Sequence, residues 1–540
     1  MGIYLNGKRA SLLYRKETKA AYFVDKSKMF DELIGFWEGK EGNPYICITR
    51  PRRFGKTVMA NMIASYLGKG SDSRDIFDSL TISARGWYEK HLNKHNVIYI
   101  SFNELPDQCD SYEQYISRIK KTLLNDLAKE FPDAEIDCTM AVWDALNHIL
   151  EFQEEDVRFV FVLDEWDFIF HKDFVTEGDK RKYISFLSNL LKDQPYVELA
   201  YMTGILPIAK YSSGSELNMF LEYTMVAEEK YSEYFGFTET ETDELYARYV
   251  RSVKNPRISR EGLRIWYDGY HTRSGKRVYN PRSVVAALTN DNLGNYWTSS
   301  GPYDEIFYYI KKNIDDVRDA LALMVSGESV PARVREYAAV SMNLTTKEEI
   351  FSAMVVYGFL TSENGEVFIP NKELMAKFED MLLKEQSLGY VYRLARESDR
   401  MLRATLAEDA ETMARILEYA HNTETPLLDY SHETELTAVV NLVYLSARDA
   451  YRIEREDKAG VGFVDFIFYP RDKREDCIIL ELKVNDTPEA AIQQIKDKGY
   501  ALKFRGKLGE APEYTGRILA VGIAYDKGSK GHRCKIEILE

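Results

Sequence analysis

Short continuous apolar runs alternate along the first two hundred residues with stretches of helical spacing. Tyr45 to Thr49, Asn96 to Phe102, Arg158 to Leu163 and Val197 to Thr203 are apolar and largely β-branched or aromatic, which predicts buried strands. Val58, Met59, Met62, Ile63, Tyr66 and Leu67 recur with the period of one helix face, and helices are expected near 111–130, 140–154 and 180–192. Strands alternating with helices predict a parallel sheet with covered faces and ligands at the carboxyl ends of its strands. Residues 1–43 read as a lead-in, with a short strand or turn over Ala21 to Lys26 and a helix over Ser27 to Trp37.

The pattern changes downstream. Thr238 followed by Glu241 predicts a capped helix over Glu239 to Tyr249. Trp266 to Tyr270 and Tyr279 to Ser283 are turns dense in aromatics, read as the packing of a small helical subdomain. A helix over Thr345 to Phe359 precedes a hairpin that turns at Asn364-Gly365, which suggests a winged-helix-like element. Such an element binds DNA or serves as a packing module, and acidic Glu363 and Glu366 at its tip favour packing. Amphipathic helices fill 376–430. Gly462 to Tyr469 and Cys477 to Val484 then predict two strands of a hairpin, followed by a helix over Pro488 to Phe504.

Two constellations carry chemistry. The first is Arg50-Pro-Arg-Arg-Phe-Gly-Lys-Thr57, between a strand and a helix. Gly55 lets the backbone approach an oxyanion, Lys56 reaches phosphates, Thr57 ligates Mg²⁺ and the helix start offers free N–H groups. The usual phosphate-loop pattern has a glycine five positions before Gly55, but here that position is Arg50, so the loop cannot start in the standard way. Arg52 and Arg53 add positive charge. Asp164-Glu165 ends a near-continuous apolar strand: the first acid suits Mg²⁺, and the second suits orientation or deprotonation of an attacking water. Thr203 is a candidate for the γ-phosphate or that water, or alternatively for a helix cap. The candidate nucleotide-binding set is therefore Arg53, Phe54, Gly55, Lys56, Thr57, Asp164 and Thr203, with Glu165 as the hydrolytic residue.

The second constellation lies in the late hairpin. Asp465 shares a strand face with Phe463 and Ile467, where an unpaired carboxylate is costly. Glu481 and Lys483 share a face of the next strand. A metal ion bridging Asp465 and Glu481 would resolve that cost and polarise a phosphodiester, with Lys483 beside it.

Bulk numbers narrow the field. At 540 residues two to four domains are expected. Hydrophobic content of 45% and charged content of 29% are ordinary for a water-exposed protein. No apolar run approaches a membrane span and the first fifteen residues lack the apolar core of a signal peptide. Five scattered cysteines suggest neither a disulfide framework nor a zinc site, and point to a cytoplasmic setting. The net charge of −15 argues against coating of nucleic acid by the whole surface, but not against a local basic groove.

Taken together, these residues resemble the bacterial AAA-ATPase-like proteins that carry a C-terminal PD-(D/E)xK nuclease domain. The resemblance is carried by Tyr22 to Ser27, Thr49 to Thr57, Leu163-Asp-Glu-Trp-Asp167 and Thr203-Gly-Ile205. It continues through Phe235 to Thr238, Trp266 to Tyr270, Tyr279-Asn-Pro281, Gly462-Phe-Val-Asp465, Glu481-Leu-Lys483 and Gln494 to Tyr500. Arg50 is part of this resemblance. It implies that Lys56 and Thr57 bind phosphate and Mg²⁺, and that Asp164 and Glu165 support hydrolysis. It further implies a nuclease centre of Asp465, Glu481 and Lys483 supported by Gln494, with an acid on the preceding helix, Glu433 in preference to Glu435. The usual basic residue after Gly462 is replaced by Phe463.

The fold class expected is α/β: a P-loop NTPase parallel-sheet domain, a helical and winged-helix-like middle region and a C-terminal PD-(D/E)xK-like α/β domain. The expected divisions are an ATPase domain over 1–235, a helical lid over 236–310, a helical linker with the winged element over 311–430 and a nuclease-like domain over 431–540. The expected cofactors are ATP and Mg²⁺, and the expected partners are ATP, DNA and further copies of the chain, without a membrane. The functional expectation is an ATPase coupled to a Mg²⁺-dependent DNA nuclease. The alternative is a nucleotide-driven switch whose nuclease-like domain only docks.

Overall fold

The computed structural model describes residues 2–38, 42–153, 157–208, 216–297, 310, 314–334, 344, 346–423, 433–459, 462–504 and 513–539. The chain packs into two units, Met1–Pro302 with Pro331–Glu373, and Tyr303–Val330 with Leu374–Glu540.

The first unit is built on five strands, β1 (Tyr45–Thr49), β2 (Asn96–Ser101), β3 (Phe159–Asp164), β4 (Val197–Gly204) and β5 (Leu221–Tyr223). Every pairing is parallel and the order across the sheet is β2-β3-β4-β1-β5. Successive strand residues feed opposite faces, which explains the unbroken apolar runs. Phe159, Phe161 and Leu163 join a core with α3 (Tyr112–Glu130), α4 (Val142–Phe152) and α5 (Glu177–Leu191). Val160 and Val162 join the opposite core with α1 (Arg9–Thr18) and α2 (Lys56–Leu67).

Two local expectations change. Helix α1 falls inside the expected lead-in; it buries Ala10, Ser11 and Tyr14 but exposes Leu12 and Leu13, so its sequence lacks a clean apolar stripe. The helix expected over Ser27 to Trp37 is an α-helical turn, Met29–Leu33, continued by a 3₁₀ turn, Ile34–Phe36. Tyr22 to Lys26 is turn and coil. Strand β5 is too short, at three residues, to show a period.

Helix α6 (Glu239–Ser252) starts with the reciprocal cap: Thr238 Oγ1 accepts from Glu241 N, and Thr238 N donates to the Glu241 carboxylate at 2.8 Å. Thr238→Ala is expected to cost about 1 kcal/mol, read as a lower thermal midpoint with nucleotide sites untouched. The segments expected as aromatic turns are largely regular structure, the helices Arg260–Tyr267 and Pro281–Asn290 and the strand pair Tyr270–His271 with Arg277–Val278, and they form a core that includes Tyr249, Tyr267 and Tyr279. The late helix and hairpin are Lys347–Tyr357, Thr361–Glu363 and Glu366–Phe368, with Asn364 and Gly365 both at positive φ as the tight turn requires. This element, expected within the 311–430 linker, packs in the first unit: Tyr270 Oη donates to Gly358 O at 3.2 Å.

The second unit carries a mixed sheet, β6 (Tyr451–Ala459), β7 (Gly462–Pro470), β8 (Cys477–Val484), β9 (Ile518–Asp526) and β10 (Gly531–Leu539), ordered as numbered. Only β8 and β9 run parallel, joined through the helix Pro488–Asp497, whose Thr487 cap accepts from Ala490 N. That helix ends at Asp497, seven residues before the expected end, and Gly499 at φ 65° turns the chain into a 3₁₀ turn at Tyr500–Lys503. Among the described residues no helix is long and apolar enough to cross a membrane.

Candidate functional site

The phosphate loop begins by prolonging the sheet. Arg50 N donates to Gly204 O at 3.2 Å, one step beyond the Thr49–Gly204 pair of β1 and β4. The Arg50 side chain turns inward, is 1% exposed, and donates from Nη1 to Thr49 O at 2.8 Å and to Tyr223 O at 2.7 Å. Phe54 is also buried, edge-on to Tyr270 at 4.9 Å, so its ring belongs to the core and only its backbone is left for a ligand. Arg53 is exposed at φ 69°. Gly55, at φ 89°, caps α2 without a side-chain bond, and a Cβ placed on it would meet nothing within 4 Å. The start of α2 thus carries no side-chain cap, and the first N–H groups of such a helix are the ones an anion can use.

Lys56 is buried and donates to the carbonyls of Arg50 and Pro51, both at 2.9 Å. Burial pulls its pKa down to about 8, against the opposing pull of Asp167, Glu165 and Asp164. Asp164 and Thr203 are register partners on β3 and β4, and both are fully buried. Among the described residues, neither Asp164 carboxylate oxygen nor Thr203 Oγ1 has a partner at hydrogen-bonding geometry. Burial, then the charge of Glu165, pushes the Asp164 carboxyl up to about 7, while Thr57 and Lys56 pull it back. Buried oxygens beside a lysine at a helix start are a set of groups that a cation and a phosphate would satisfy. The donor set of Thr57 hydroxyl and Asp164 carboxylate is hard oxygen, which suits Mg²⁺.

Glu165 sits at φ 54° and is only half-buried, an uncommon backbone state for a residue with a side chain. The turn is held by its neighbours. Trp166 N donates to Thr203 O at 3.1 Å, and Asp167 Oδ2 accepts from Ile205 N at 3.0 Å and Leu206 N at 2.8 Å. A Cβ on Gly204 would collide with the Trp166 indole. Residue-by-residue reading missed this bracing by Trp166 and Asp167. It also missed Trp297, whose Nε1 donates to Arg52 O at 3.0 Å and whose backbone N donates to buried Glu373 at 2.6 Å. The aromatic density of the middle region was the only available signal.

The late hairpin brings the second set together. Asp465 lies one step beyond the Phe466–Leu480 pair, opposite Glu481, and its N–H points at Glu481 Oε2 at 3.5 Å. Asp465 Oδ2 accepts from Leu482 N at 2.7 Å. Gln494 Nε2 donates to Glu481 Oε1, and Lys483 Nζ stands 3.4 Å from the same oxygen. Tyr500 is buried beside Gln494. Glu433 opens the helix Glu433–Val443, but its side chain, like that of Glu435, lies outside the described residues. Among the described residues no cluster of three or more His, Cys, Asp or Glu is placed to hold a metal. The pair Asp465 and Glu481 still offers hard oxygens, and Mg²⁺ takes its remaining ligands from water and substrate phosphate.

Burial first, and the Asp465 charge second, push the Glu481 carboxyl up to about 7 from 4.5. Between those values the folded protein keeps a proton that the unfolded chain releases, so stability falls as pH rises through this window. In EDTA, Glu481→Gln is expected to raise the thermal midpoint at pH 8 and to match wild type closely at pH 5. An equal difference at both pH values would contradict a carboxyl that ionises near neutrality.

The sequence matches known families at both ends. Residues 14–213 match the family described as a predicted AAA-ATPase, and residues 432–530 match the PD-(D/E)XK nuclease superfamily. A curated relative, an uncharacterized protein in the vnfD 5′ region of Azotobacter chroococcum mcd 1, is 23% identical over 529 residues and spans 94% of each chain. Similar solved structures include the Walker-type ATPase PABY2304 of Pyrococcus abyssi, at 12% identity and TM-score 0.35, covering 65% of this chain and 94% of that one. Another is the Aeropyrum pernix Orc1 protein in complex with DNA, at 11% identity and TM-score 0.30, covering 72% and 99%. The chain thus joins a domain of the predicted AAA-ATPase family at residues 14–213 to a domain of the PD-(D/E)XK nuclease superfamily at residues 432–530.

Proposed function

We propose that the protein binds and hydrolyses ATP, and that its C-terminal centre cuts DNA in a Mg²⁺-dependent reaction governed by the nucleotide state. The observation that carries the cutting role is the convergence of Lys483 and Gln494 on the buried carboxylate of Glu481, opposite Asp465. Asp465 and Glu481 would hold the metal, which when bound polarises the phosphodiester and acidifies a water. Lys483 would offset negative charge as it develops on phosphorus. Gln494 orients Glu481 through its amide N–H. In the first unit Lys56 and the start of α2 would take the phosphates, Thr57 and Asp164 the cation, and Glu165 the attacking water.

The test is incubation of the full chain with linear, circular and single-stranded DNA, with Mg²⁺ or EDTA and with ATP, ADP or no nucleotide. Cleavage that needs Mg²⁺ and responds to nucleotide is expected. If wild type and Asp465→Asn are indistinguishable under every condition while ATP still binds, the protein is the nucleotide-driven switch instead.

A further inference from the structure

Arg50 stands where a phosphate loop ordinarily has its first glycine, and it is buried as deeply as the core around it. Its guanidinium carbon lies 5.2 Å from the centroid of the Phe235 ring. Among the described residues it makes no ion pair, and its Nε and Nη2 have no hydrogen-bond partner. A buried guanidinium without a carboxylate costs stability, and an apolar side chain would occupy the same space at lower cost. What a guanidinium supplies there is a fork of donors. Nη1 reaches the last carbonyl of β1 at Thr49 and the last carbonyl of β5 at Tyr223, two adjacent parallel strands whose ladder ends at Ile48–Tyr223.

The other cation in the loop is placed differently. Lys56 Nζ donates to Arg50 O and Pro51 O, so the lysine closes onto its own loop. A phosphate that takes this ammonium strips both carbonyls of their donor. Among the described residues, the side-chain donors that then still hold the first part of the loop are Arg50, at Thr49 O and Tyr223 O, and Trp297, at Arg52 O.

We propose that Arg50 is a positioning residue of the nucleotide site: it fastens the start of the phosphate loop to β5, taking over where a glycine normally shapes the loop, and holds it there once phosphate draws Lys56 away. This rests on the reading of the loop as an ATP site. Arg50 touches no phosphate itself and acts through the backbone of Thr49 and the loop that follows.

Calorimetric titration of the full chain with MgATP tests it, using wild type, R50G, R50K, F235L and K56A. R50G restores the usual glycine pattern, and on pattern alone it would bind as well as wild type or better. The expected result is the opposite: at least tenfold weaker MgATP binding, with the thermal midpoint of the nucleotide-free protein unchanged or higher. Low-millimolar methylguanidinium should recover part of the R50G affinity and none of the K56A affinity, because only R50G leaves a guanidinium-shaped space. R50K should fall between wild type and R50G. F235L, which keeps the fork and removes the ring beneath it, should weaken binding about threefold, and it serves if R50G does not fold. Wild-type affinity in R50G, or in F235L where R50G is unfolded, overturns the proposal while leaving the ATP reading intact. No MgATP binding by wild type removes the ATP reading, and this proposal with it.

Discussion

Asp465→Asn is expected to abolish the proposed DNA cleavage while leaving ATP binding intact. Asp465 and Glu481 face each other across β7 and β8, and Glu481 is 3% exposed, so two carboxyl groups that repel each other when both are ionised are concentrated in one site. Such a site gains most from a divalent cation, and asparagine removes half of the charge that would hold it. The fold should survive, because an amide oxygen can still accept from Leu482 N as Asp465 Oδ2 does at 2.7 Å. Loss of a metal ligand and of the polarisation it brings is worth roughly 10³-fold or more in rate, on the scale of about 4 kcal/mol of transition-state stabilisation. The measurement is the initial rate of plasmid nicking at saturating Mg²⁺, with ATP titration as the control for folding. An Asp465→Asn protein that cuts at the wild-type rate would show that these carboxylates do not carry the reaction.

Lys56→Ala has the second-largest expected effect. The Lys56 ammonium is buried against two carbonyls, and burial pulls its pKa down to about 8. A buried cation depressed in this way gains when an anion arrives, and charge-assisted bonds to phosphate are worth about 1.5–3 kcal/mol. Affinity for ATP is expected to fall roughly 10- to 100-fold, and hydrolysis further, because the same ammonium faces charge that grows in the transition state. Stability without nucleotide should change little, since the lost hydrogen bonds are offset by relief of a desolvated charge. Calorimetry and phosphate release measure the two effects. ATP should raise the thermal midpoint of wild type and leave that of the variant unmoved.

Asp164 and Glu481 show how far local reading reaches. Each ends or interrupts an apolar strand run, and each proved to be a buried acid with a carboxyl pushed up to about 7. Their positions at the end of, or within, an apolar run were visible in one dimension, but their burial was not. Phe54 shows the limit: it lies in the phosphate loop by position, yet its ring faces Tyr270, more than two hundred residues downstream. Trp297 and Gly358 are similar, since they meet the loop at Arg52 and Pro51 through contacts that no spacing rule encodes.

Strands β1 to β4, the loop from Arg50 to Thr57, the Asp164-Glu165 turn and the facing pair of Asp465 and Glu481 were determined by the amino-acid order alone. Each depends on a period of two residues or on a turn a few residues long, and such short-range preferences are written locally. The tertiary structure alone decided that Arg50 is buried beneath its own loop, that Trp166 and Asp167 brace the end of β4, and that the helix and hairpin after 346 belong to the first unit. It also added α1, β5, β6, β9 and β10. These features rest on burial and on hydrogen bonds between residues far apart in sequence, where the local pattern is weak and the energy comes from what the chain meets after it folds.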